Sequence, residues 1–148
     1  MVFDVVTIFP NLLDSYLQDS ILWREQKKGI IKIRFHDIRA FSKNKHRKVD
    51  DTPYGGGDGM VMRPEPLAAA VKSLPEKPYV ILTSPQGKVW KQSDAQRLHA
   101  IPAPIALICG RFSGIDERFI AHYVDEEISL GNFVMSGGEL ASLAILDS

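Results

Sequence analysis

A chain of 148 residues with 45% hydrophobic and 24% charged side chains fits one globular domain that buries a core without staples. Its 18 basic and 18 acidic residues cancel, so any contact with nucleic acid has to come from a local patch rather than from overall charge. The single cysteine, Cys109, excludes a disulfide framework and any CxxC motif, and no run approaches the ~20 apolar residues of a membrane span, so no membrane partner and a cytoplasmic location are expected.

Val2–Phe9 is a β-branched and aromatic run ended by Pro10, which predicts a buried first strand. Leu12, Leu13, Tyr16, Leu17, Ile21 and Leu22 then recur at helical spacing as far as Gly29, with a break near Asp19-Ser20 where Ser20 can cap the second piece. Ile31, Ile33 and Phe35 alternate with Lys32, Arg34 and His36, the pattern of a strand with one polar face. From Phe41 to Met62 no periodicity survives. This stretch holds a basic run (Lys43, Lys45, His46, Arg47, Lys48), the pair Asp50-Asp51 and the glycine-rich Tyr54–Gly59. Structureless loops of that length inside small domains are functional or disordered. Pro64–Leu74 reads as a helix, Tyr79–Thr83 as a strand, and Ser93–His99 as a short helix capped by Ser93. Ile105–Cys109 reads as a strand with a buried, inert thiol at its end, Glu117–Tyr123 as a helix, and Glu139–Leu146 as a final helix. Alternation of strand and helix predicts an α/β domain with a mainly parallel sheet and flanking helices. The last apolar residues run to Ser148 with neither a glycine stop nor a polar tail, which suggests a cut rather than a natural terminus.

Three glycine-bearing segments follow apolar or half-apolar runs: Ser84-Pro85-Gln86-Gly87, Gly110-Arg111-Phe112-Ser113-Gly114, and Leu130 to Glu139. In parallel α/β sheets ligands bind in crevices beyond the carboxyl ends of strands, so the three loops point to one composite pocket. Each glycine alone is also an ordinary turn residue. In the third segment, however, Gly131, Gly137 and Gly138 bracket Phe133, Val134 and Met135, a mix of free backbone and apolar faces that suits a flat ring such as adenine. There is no GxGxxG after the first strand, no P-loop, no HExxH and no GxSxG, and His36, His46, His99 and His122 are scattered. The basic run fits a solvated loop or phosphate contacts equally well. Asp116, Glu117, Asp125, Glu126 and Glu127 flank the second and third loops, as caps and ion pairs or as groups that orient a substrate.

Asp50–Gly57, Ser84–Gly87, Cys109–Phe112, Gly114–Arg118, Asp125–Ser129 and Ser136–Leu140 together resemble the bacterial tRNA (guanine-N1)-methyltransferases, in order and over essentially the whole chain. The resemblance implies the SPOUT class, with a deep trefoil knot in the carboxyl half. It implies S-adenosylmethionine as methyl donor, a homodimer with sites at the subunit interface, and tRNA methylated at N1 of the guanosine just 3′ of the anticodon. Carried over by position, Ser84, Pro85, Gly110, Leu130, Gly131, Asn132, Phe133, Val134 and Met135 would contact the donor, and Gly137 and Gly138 would shape its pocket. The loop around Arg47 and Tyr54–Gly59 would lie near tRNA and the partner subunit.

The sequence departs from the family's pattern in ways that bear on catalysis. The family's helical carboxyl-terminal domain, with its general base and a neighbouring arginine, has no counterpart before Ser148, so the 148 residues correspond to the donor-binding domain. Ser113 stands where the family has a glutamate linked to base positioning and magnesium dependence, and serine supplies no carboxylate. Phe112 and Phe133 replace tyrosine, Asn132 replaces aspartate, and Ala141 replaces proline. The expectation is a chain that binds the donor and dimerises but turns over poorly. A catalytically dead tRNA-binding or scaffold domain, and a module for another adenine nucleotide, are the alternatives.

Overall fold

The computed structural model describes residues 1–53, 55–111 and 113–148. The chain runs from β1 (Val2–Thr7) through a 3₁₀ turn (Pro10–Leu13), α1 (Asp14–Leu17) and α2 (Ser20–Lys27) to β2 (Lys32–Asp37). A second 3₁₀ turn (Ile38–Phe41) leads to β3 (Asp50–Asp51), β4 (Val61–Met62) and α3 (Pro64–Lys72). Next come β5 (Tyr79–Val89), α4 (Gln92–His99), β6 (Ile105–Cys109), α5 (Glu117–Tyr123), β7 (Glu126–Ser129) and α6 (Glu139–Asp147).

Five strands form one sheet in the order β2-β1-β6-β5-β7, with every pairing parallel. Successive side chains of a strand face opposite ways, and the sheet is buried on both sides accordingly. Val6, Ile8, Val80, Leu82, Ala106 and Ile108 pack with α3 and α5 residues such as Leu67, Val71 and Phe119. Phe3, Val5, Ile81, Ile105, Leu107 and Ile128 pack against Leu17, Leu22, Leu98 and Ile145 from the helices of the other face. Helices on both faces of a parallel sheet are what the strand–helix alternation predicts.

Several local expectations change. The first strand ends at Thr7, because Thr7 Oγ1 accepts the Phe9 N–H at 2.9 Å and turns the chain. Helix α2 is capped by Asp19, whose carboxylate accepts the Ser20 N–H at 2.7 Å, so Ser20 is the residue capped rather than the cap. In α4 the same exchange occurs: Asp94 accepts the Lys91 N–H at 3.0 Å, and Ser93 lies inside the helix. In both cases an ionised carboxylate is the stronger acceptor for an exposed helix-end amide. The stretch without periodicity is not structureless. Asp50 and Asp51 pair antiparallel with Met62 and Val61, and Met62 bridges to Ile115.

The polar face of β2 is occupied, not solvated. Asp4, fully buried in β1, accepts from Arg34 Nε at 2.7 Å and Arg34 Nη2 at 2.9 Å, and lies 2.8 Å from His36 Nε2. Burial alone would raise the Asp4 carboxyl, but the hydrogen bonds from His36 and Arg34 outweigh it and hold the group below the ordinary carboxylate range. Because the folded pKa is depressed, this group's stabilisation is complete above the unfolded value and drains away as pH falls through the folded one. Asp4→Asn should therefore cost about 2–4 kcal/mol at neutral pH, by removing one partner of a buried pair. It should also flatten the acid limb of stability. Urea midpoints measured between neutral pH and about pH 3 check both; an Asn variant with the wild-type acid profile would exclude Asp4 as its source.

Candidate functional site

The middle of β5 and the carboxyl ends of β6 and β7 open into a cavity of about 390 Å³. Its wall is built from the segment after Thr83, the loop after Cys109 and the stretch from Ser129 to Gly138, which are the three segments marked by glycine in the sequence. The first is not a loop beyond a strand, however. β5 continues to Val89, and its pairing with β7 shifts register between Thr83 and Lys88, so Ser84–Gly87 is an irregularity inside the strand. Such a bulge leaves unpaired backbone facing the cavity.

Two glycines are required by close approach. A Cβ on Gly87 would sit 2.5 Å from the backbone of Glu127 and Ile128, which would part β5 from β7. One on Gly138 would sit 2.9 Å from Cys109 Cα and Gly110 N, and would collide with the Thr83 hydroxyl. Gly138 is held in that position by its N–H, which donates to Gly110 O at 2.9 Å. Thr83 Oγ1 lies within reach of Ile108 O at 3.1 Å and Gly138 O at 3.4 Å. The third segment thus threads against the β6 end with no side chain between. At its other end, Ser129 Oγ accepts the Gly131 N–H at 3.1 Å and lies 2.9 Å from Gly131 O, which folds the segment back on itself.

Of the residues named from the resemblance, Ser84, Pro85, Gly110, Leu130, Phe133, Val134, Met135, Gly137 and Gly138 line this cavity. Gly131 and Asn132 belong to the same segment but do not line it. Phe133 and Val134 are 56% and 81% exposed, so two apolar side chains stand at the rim without cover. Ser113 also lines the cavity. Its N–H donates to Met60 O at 2.8 Å, its hydroxyl lies 3.4 Å from Asp58 O, and it packs on Gly59, so it joins the glycine-rich loop to the cavity rim. Tyr54 and Phe112 lie outside the described residues. Residues 43–48, the basic run, are all exposed. Among the described residues, no group of three His, Cys, Asp or Glu is placed to hold a metal ion.

The resemblance gave no role to the most constrained part of the site. Glu139, 2% exposed, accepts from Thr7 Oγ1 at 2.8 Å and from Arg111 Nε at 3.0 Å. The Arg111 guanidinium in turn lies 4.7 Å from the Phe9 ring centroid, a cation–π contact. Arg111 and Glu139 each follow a glycine of the site, but nothing in their spacing says that they meet. Cys109 is buried, its thiol pushed up to about 12 by desolvation despite the hydrogen bond with Ser142 at 3.2 Å, so it is inert as a nucleophile.

Known proteins share both sequence and structure with the chain. The family described as tRNA (Guanine-1)-methyltransferase TrmD matches residues 1–148. A tRNA (guanine-N(1)-)-methyltransferase of Geobacter metallireducens is 46% identical over 100% of this chain and 61% of its own length. That of Chloroflexus aggregans is 48% identical over 100% of this chain and 59% of the relative. The crystal structure of a tRNA (m1G37) methyltransferase from Aquifex aeolicus superposes with a TM-score of 0.87 at 40% identity, covering 99% of this chain and 67% of that one. The chain therefore spans about three fifths of the length of these two curated relatives.

The close approach at Gly138 can be tested against a glycine that has room. A Cβ on Gly110 would meet its nearest neighbours at 3.7 Å, an ordinary contact. Gly138→Ala should lower stability by about 1–3 kcal/mol through overpacking against backbone, whereas Gly110→Ala should change it by less than about 1 kcal/mol. Denaturant unfolding of the two variants checks the contrast; equal losses would mean that the packing at Gly138 is not what requires glycine.

Proposed function

The chain belongs to the tRNA (guanine-1)-methyltransferase family, and from that premise we propose that its 148 residues form the S-adenosylmethionine-binding domain of an enzyme that methylates guanine N1 in tRNA. The observation that carries this reading is the cavity itself. Its wall carries backbone at Gly110, Gly137 and Gly138 beside the apolar Leu130, Phe133 and Met135. That combination accepts an adenine edge by backbone hydrogen bonds and its faces by apolar contact. In this reading the path of the third segment against the end of β6 is part of a trefoil knot of the SPOUT class.

Once bound, the donor supplies an activated methyl group on a sulfonium, so the protein's task is mainly alignment of the two reacting atoms. Ser84, Pro85, Gly110 and the 130–138 segment orient the donor, and the buried Arg111–Glu139 pair keeps the second and third loops in register. Guanine N1 is protonated at neutral pH, so its proton must pass to a base while a donor group stabilises O6. Ser113 reaches the cavity without a carboxylate, which weakens base positioning and any magnesium role.

The exposed run Lys43–Lys48 is the proposed tRNA contact, in the cytoplasm where tRNA is modified. For the dimer the support is α6. Ala141, Ser142, Ile145 and Leu146 face the core, yet Leu140 is 64% exposed beside exposed Leu12 and Phe9. A second apolar cavity of about 490 Å³ lies among Phe9, Leu12, Leu13 and Leu140. A helix apolar on all sides is buried on all sides, and a second copy of the chain is the proposed cover. Ser113 also favours a second reading, a catalytically dead domain that binds tRNA.

Calorimetric titration with S-adenosylmethionine should give saturable binding near one donor per chain, and multiple-turnover methylation of tRNA by the 148 residues should be absent or very slow. tRNA affinity without donor binding would instead favour the scaffold. tRNA binding should fall steeply between about 50 and 200 mM salt, since phosphate contacts release counterions. Salt-insensitive binding would exclude the basic run as its source.

A further inference from the structure

The carboxylates flanking the second and third loops divide into two groups. Asp116 caps α5 through the Arg118 N–H at 2.9 Å and pairs with the Arg118 guanidinium at 2.8 Å. Asp125 accepts the Val80 N–H at 2.7 Å, and Glu126 pairs with Arg97 at 2.9 Å. These three hold the sheet edge and helix end. Glu117 and Glu127 remain, and both line the cavity. Among the described residues neither side chain has a hydrogen bond or ion pair. Alternation along β7 sends Glu127 to the face opposite Glu126, the α5 face, where Glu117 and Ile120 also border the cavity.

The charges on this wall do not balance. Its only cation among the described residues is Arg111, and that charge is neutralised by Glu139 at 3.0 Å. Two carboxylates are left without a counter-charge. A pocket of this sign attracts a cationic ligand and is poorly matched to a neutral one. The donor bears a net positive charge through its sulfonium. In methyl transfer the S–CH₃ bond breaks, its electron pair stays on sulfur, the carbon bonds to guanine N1, and the N1 proton leaves to base. The by-product is a neutral thioether.

We propose that Glu117 and Glu127 are charge-selecting residues that make the cavity prefer the sulfonium donor over its thioether product, so that methyl transfer itself loosens the by-product. This rests on the donor-binding reading above. Glu127, half-buried in β7, should contribute more than the exposed Glu117, which water and salt screen.

The experiment is parallel calorimetry of the wild-type chain, Glu127→Gln and Glu117→Gln with S-adenosylmethionine and S-adenosylhomocysteine. Glu127→Gln should reduce the donor-over-product affinity ratio about fivefold, and Glu117→Gln about twofold, with product affinity itself little changed. Wild-type preference should also shrink as salt is raised. Ratios unchanged in both variants, or equal loss for both ligands, overturn the proposal while leaving the donor reading standing. A wild-type chain that binds neither ligand overturns the donor reading and this inference with it. Should Glu127→Gln lose its fold and bind neither, the surface variant Glu117→Gln decides alone.

Discussion

One buried carboxylate organises the site end of the sheet. Glu139 stands at the first turn of α6, where the helix dipole favours a negative charge, and joins the end of β1 through Thr7 to the loop after β6 through Arg111. A charge at 2% exposure is tolerable only when its lone pairs are met, and both oxygens have a partner. Phe9 closes the arrangement from outside by covering the guanidinium. The cavity inherits its shape from this: the Arg111 and Glu139 side chains close on Gly137, and the end of β6 closes on Gly138.

The same geometry explains why the cavity is chiefly a backbone surface. Parallel strands end in carbonyls and amides that need partners, and beyond β6 that partner is Gly138 of the third segment, whose N–H donates to Gly110 O. The bulge at Ser84–Gly87 and the 129–138 segment are the pieces of chain that meet these ends. The ionisable side chains among the described lining residues are Arg111, Glu117 and Glu127, with the exposed Phe133 and Val134 at the rim. A site of this kind specifies shape and charge more than it supplies acid or base.

Much of this was legible in the sequence because it depends on local patterns. β6 and α5 were placed at their observed limits, since an unbroken apolar run and an Asp-capped amphipathic turn are read from neighbours in the chain. The pocket was legible for a similar reason, as glycines cluster where strands end. What escaped depends on partners distant in sequence. Thr7 and Glu139 are 132 positions apart, and the Asp4 carboxylate under β2 looks like any acidic residue until Arg34 and His36 are laid beside it. The helix-end carboxylates of Asp19 and of Asp94, the latter inside the first turn of α4, escape a sequence reading because serine and aspartate compete for the same amides, and charge decides between them. The length of β5 was hidden by its proline and glycine, which signal a turn but here mark a bulge.

The position of β1 has a consequence for how the molecule is made. It lies between β2, which follows it within a few turns of chain, and β6, whose Ile105 pairs with Phe3. During synthesis at about 5–20 residues per second, the β1–β2 pair waits on the order of 4–14 s for its second neighbour. Until then one edge of a hydrophobic strand is bare, and the loop to be closed spans most of the chain. High contact order of this sort slows folding, and a naked parallel edge invites pairing with other chains. The nascent protein is thus most vulnerable to aggregation in the interval before β6 emerges.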